Sequence, residues 1–92
     1  MPELLDMVKT ALRIKTAAFD EAEILPLIEA AKADLLRSGI AFDAHPNAVL
    51  CRRAVVVYCR LNFGEPVDPD RLDAVYEKLK AFLSTGGGGV GG

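Results

Sequence analysis

Apolar residues recur at helical spacing along four stretches of this chain, and no stretch alternates convincingly with the period of two that marks a half-buried strand. Leu4, Leu5, Val8 and Leu12 fall on one face of a predicted helix over about residues 3–13. Ile24, Leu27, Ile28, Ala31 and Leu35 form the stripe of a second, opening at Asp20 and stopping at Gly39. Asp20 followed by Glu23 has capping-box spacing, and glycine readily takes the left-handed conformation that ends a helix. Pro26 is in tension with that start, because it removes a backbone donor about six residues past the cap. Either the helix bends there, or its regular part begins after Asp20.

A third helix is expected to start at Pro46, since proline suits the first helical position, and to end before Gly64. A fourth starts at Asp68-Pro69-Asp70, where a capping acid, a first-turn proline and a second acid suit the helix dipole. Leu72, Val75, Tyr76, Leu79, Phe82 and Leu83 make its apolar stripe, with Asp73, Glu77 and Lys80 on the other side. The expectation is an all-α fold: a small four-helix domain over residues 1–85, followed by a flexible glycine-rich tail at 86–92 that has almost no side chains to pack.

The third helix is the unusual one. At 100° per residue, Leu50, Ala54, Val57, Tyr58 and Leu61 form one stripe, while Val49, Val56, Cys59 and Phe63 form another on the far side, beside Arg52, Arg53 and Arg60. A helix apolar on opposite faces is buried on both. It is either the central helix of the domain, or its second stripe meets a neighbouring subunit, where arginines beside apolar residues are common. The residues expected at such an interface are Val49, Arg53, Val56, Arg60 and Phe63.

Composition narrows the classes. Ninety-two residues hold one core, and a domain of this size buries only about 60% of its unfolded surface. The apolar fraction of 51% is high and fits a subunit that associates. With 11 basic and 13 acidic residues the net charge is −2, so no global basic excess advertises nucleic-acid binding. The longest apolar run, from Ala54 to Cys59, is far short of the roughly 20 residues of a membrane span. Met-Pro-Glu-Leu-Leu-Asp lacks the features of a signal peptide, which makes the cytoplasm the expected compartment. Cys51 and Cys59 lie about 12 Å apart along one helix, too far to pair, and free buried thiols suit a reducing compartment.

Chemistry is hard to assemble from these residues. His45 is the single histidine and reads as an exposed turn or cap residue. One histidine and two badly spaced cysteines do not make a metal site, and a thiol in an apolar helix is a poor nucleophile. The glycine run lacks the Lys-Ser/Thr and the helix of a phosphate-binding loop. Asp68, Asp70 and Asp73 read as capping and solvation. No catalytic, metal or cofactor residue is expected, and the chain does not read as an enzyme.

Val8 to Ile14, Leu27 to Leu35, and Ala54 to Gly64, followed by Tyr76-Glu77-Lys78-Leu79, resemble the helical head–tail connector (head-completion, or adaptor) proteins of tailed bacteriophages. The likeness runs from about Leu4 to Leu83. It implies a structural protein of a phage, a prophage or a phage-like gene-transfer particle, assembling as a ring of identical subunits under the portal. Its implied partners are its own copies, the portal protein and a tail-side completion protein, with packaged DNA passing through the ring without specific binding. The implied location is the host cytoplasm during assembly and then the head–tail junction of the particle. Pro26 and the glycine-only terminus do not match the family pattern. Residues after Leu83 are expected to order on docking. The alternative reading is a small helical DNA-binding or regulatory domain that uses the third helix.

Overall fold

A computed structural model describes residues 2–16 and 20–84, and in it the chain is an all-α domain of four helices with no strand among the described residues. Helix α1 spans Pro2–Leu12, α2 Leu25–Arg37, α3 Ala48–Asn62 and α4 Pro69–Ser84. A π-helical turn, Asp20–Ile24, leads into α2. The glycine tail expected at 86–92 lies outside the described residues.

Pro26 explains the turn. It occupies the first turn of α2, where the missing N–H has no partner to lose. The regular helix therefore starts after Asp20, the second of the two alternatives that the sequence left open. The residue at the N-cap of α2 is Ile24, which offers no side-chain cap. The side chain of Asp20, on which the expected capping box depends, lies outside the described residues. The start of α3 also moves. Ala48, not Pro46, is the first helical residue, and Asn47 caps it, its side-chain oxygen accepting from the Leu50 N–H at 3.2 Å. Asparagine offers the acceptor that a helix start needs, and proline has none.

Two helices end in the same way. After α2, Ile40 N–H donates to Leu35 O and Gly39 N–H to Leu36 O, both at 2.9 Å, with Gly39 at φ +84°. After α1, Ile14 N–H donates to Lys9 O at 2.9 Å and Arg13 N–H to Thr10 O at 3.1 Å, with Arg13 at φ +60°. Both are Schellman closures, with the left-handed residue just past the helix. Glycine fills that position in one case and arginine, which carries a Cβ penalty there, in the other. Helix α4 begins at Asp68, as its sequence suggests: Asp68 O accepts from Leu72 N–H at 3.2 Å, and its side chain receives the Arg71 N–H at 3.4 Å.

The core is wholly apolar, and no charged residue is buried among the described residues. Leu4 and Val8 enter from α1, Ile28, Ala31 and Leu35 from α2, and Leu72, Tyr76 and Leu83 from α4. They meet on α3, which packs against each of the other three helices. Its buried residues Cys51, Ala54, Val55, Val57 and Cys59 cover an arc of about 200° at 100° per residue. Helix α3 is thus central, as the first of the two readings held. Cys59 does not belong to an outward stripe: it is fully buried in the core. On α4, Phe82 stays 46% exposed although the stripe included it, because it lies at the margin of the buried arc.

Candidate interaction surface on the third helix

The arc of α3 left outside the buried face holds Val49, Arg53, Val56 and Arg60, with Phe63 in extended backbone just past the helix end, the five residues singled out from the sequence. Val49 is 66% exposed, Arg53 and Arg60 are exposed, and Val56 and Phe63 are half-buried. The five remain at the surface because α1 and α4 flank this arc without closing over it.

Three grooves follow from that arrangement. Between α1 and α3 lies an open groove of about 640 Å³, where Met7, Thr10 and Ala11 face Val49, Arg53 and Val56, with Asp6 at its edge. Farther along the same two helices, Leu12 and Arg13 face Arg60 and Phe63 across a second groove, about 610 Å³, that reaches Val67. A third, about 400 Å³, runs between α3 and α4, and Arg53, Arg60 and Arg71 all line it, with Asp68 among them. Arg53 therefore borders both the first groove and the third, and Arg60 borders the second and the third. None of these three guanidinium groups makes a hydrogen bond or ion pair among the described residues. Arg71 joins the set only in three dimensions, since in the sequence it looks like an ordinary first-turn residue of α4.

His45 and Asp34 tie separate helices together. His45 is half-buried rather than exposed. Its Nδ1 accepts from the Asn47 N–H at 3.0 Å, so Nε2 carries the hydrogen and donates to Leu83 O, also at 3.0 Å. One imidazole thereby ties the α2–α3 loop to the end of α4. Asp34 on α2 gathers three donors: the Tyr76 hydroxyl at 2.6 Å, Arg37 at 2.8 Å and Lys80 at 3.2 Å. The Tyr76 hydrogen bond leads in holding the Asp34 carboxyl below its ordinary range, with Arg37 and Lys80 adding to it against the cost of burial. Nothing in the sequence linked Asp34 to Tyr76, 42 positions away.

Burial alone pushes the Cys59 thiol up to about 12 and, with Arg52 opposing it, raises Cys51 as well. Both thiols are free and buried. Among the described residues no three His, Cys, Asp or Glu side chains cluster as metal ligands do. No helix is long and apolar enough to cross a membrane among the described residues.

A scan against protein-family models, a search of curated proteins and a search of solved structures each found no match to this chain.

Proposed function

We propose that this chain is a structural, non-enzymatic adaptor subunit. It assembles with its own copies as a ring under the portal of a phage, prophage or phage-like particle, extends the DNA channel and docks the tail. The supporting observation is the outward strip of α3. Val49 and Met7 lie exposed beside half-buried Val56, rimmed by Arg53, on the same helix that organises the core. A ring joins two different patches of each subunit repeatedly until it closes, and such joints pair an apolar centre with arginine at the margin. The resemblance of Val8 to Ile14, Leu27 to Leu35 and Ala54 to Gly64 to phage connectors supplies the particular ring. A net charge of −2 is compatible with a conduit that must let phosphates slide past.

Negative-stain microscopy of the concentrated protein, with and without portal, tests this reading. Rings of a uniform diameter, alone or stacked on portal, are the expected result. A protein that stays monomeric and does not bind portal overturns it. The alternative, a DNA-binding regulator, is favoured by one observation, the convergence of Arg53, Arg60 and Arg71 on one groove. A gel-shift titration separates the two, because nanomolar binding to a specific duplex with steep salt dependence belongs to the regulator.

A further inference from the structure

We infer that the α3/α4 cleft bearing Arg53, Arg60 and Arg71 receives the acidic outer stripe of α4 from a second copy of this chain. The inference rests on the ring reading above and names the two halves of its joint. Three guanidinium groups face one groove with Asp68 as the single acid among them, and none is paired among the described residues. Arginine clusters of this kind seek carboxylates or phosphates, which their planar forks engage two atoms at a time.

The complement is on the same molecule. Asp70, Asp73 and Glu77 are exposed and spaced three and four residues apart, which places them on one line along α4. That line lies on one flank of the helix, about 110° around from the buried face of Leu72, Tyr76 and Leu83. Arg71 projects about 100° away from Asp70 around the helix, so the stripe and the cleft occupy different flanks. One copy cannot close the pair upon itself, and a contact between copies is head-to-tail, the kind that propagates into rings. The complementarity is net rather than complete, because Lys78 sits beside the stripe and Lys80 already meets Glu77 at 3.4 Å.

The surroundings of the cleft favour a protein occupant over nucleic acid. Arg53 also borders the groove lined by Met7, Val49 and Val56, so charge and apolar surface are continuous there. A phosphate backbone makes no use of the apolar half, whereas a protein interface uses both.

Two doubly reversed variants test the inference. Arg53→Glu with Arg71→Glu makes the cleft acidic, and Asp73→Lys with Glu77→Lys makes the stripe basic. Circular dichroism first establishes that each variant is folded, and sedimentation velocity then measures association across concentration. Wild type should associate, and each variant alone should associate roughly tenfold or more weakly, because like charges then meet at the joint. An equimolar mixture should regain association, since each acidic cleft then finds a basic stripe and each arginine cleft an acidic one. Folded variants that associate like wild type overturn the inference and leave the ring reading standing, as does a mixture that fails to recover. A wild-type chain that stays monomeric at every concentration overturns the inference, and one that also fails to bind portal overturns the ring reading with it. Salt-sensitive DNA binding by monomeric wild type, lost in the cleft variant, would assign the arginines to phosphates instead.

Discussion

The Tyr76 hydroxyl donates to Asp34 Oδ2 at 2.6 Å, joining α4 to α2 through the one acid that also holds Lys80 and Arg37. Tyr76 is only 3% exposed, and its ring lies 5.5 Å from that of Tyr58 on α3. Asp34→Ala strands that hydroxyl and should cost about 2 kcal/mol, whereas Tyr76→Phe removes the hydroxyl and leaves Asp34 with Arg37 and Lys80, and should cost about 1 kcal/mol. Urea denaturation of the two variants checks the order.

The same cluster sets the pH response. The folded Asp34 carboxyl lies below its ordinary 3.8, so its contribution is present above that value and disappears as pH falls through the folded one. Burial, with the hydrogen bond to Asp34 behind it, raises the Tyr76 phenol above its ordinary 10.0. Lys80 also rises above its ordinary 10.5, the cost of burial being outweighed by the hydrogen bonds and charges of Asp34 and Glu77. The folded state then keeps protons that the unfolded chain releases, and stability should fall as pH rises beyond about 10. Thermal melts between pH 2 and 11 should show a plateau with two falling arms, and Asp34→Asn should flatten the acid arm.

Arg13 carries a left-handed backbone at the position where α2 uses Gly39. Arg13→Gly should therefore stabilise the domain by about 1 kcal/mol, and Gly39→Ala should destabilise it by a similar amount, although an added Cβ at Gly39 meets nothing within 4 Å. The penalty is conformational, not steric crowding from neighbours. Paired melting curves decide it.

Val56→Asp places a charge in the α1/α3 groove. Since Val56 is half-buried at the rim of the core, the monomer should keep its helices while association drops at least tenfold. Circular dichroism with sedimentation velocity checks both halves. A variant that simply unfolds would return Val56 to the core of a single copy.

Cys51 and Cys59 should resist thiol reagents in the native protein, because both are buried and neither forms a thiolate near neutrality. Labelling in increasing urea should follow the unfolding transition. Prompt labelling of the native state would contradict their placement.

What could be read from the sequence follows from what is local. Gly39 and Asp68 announced helix boundaries because their backbone and capping preferences act within a few residues. Val49, Arg53, Val56, Arg60 and Phe63 were found together because one helical period orders them. Asn47 was passed over for Pro46 because both are sound starting residues and only the Leu50 N–H chooses between them. Cys59 was assigned to the outer stripe because periodicity alone does not say how wide an arc the three flanking helices cover. Arg71 beside Arg53, His45 under Leu83 and Asp34 under Tyr76 all depend on how separate helices are docked, which no single stretch of sequence encodes.

The central position of α3 governs how the molecule comes apart. Each of the other helices leans on it, so none can detach without uncovering part of it, and its amides should be the last to exchange hydrogen for deuterium. A partner gripping the outer strip of that same helix would clamp the shaft around which everything else is mounted. Capture by a neighbour and resistance to melting would then be one event, and subunits drawn into an assembly would be tougher than those still adrift.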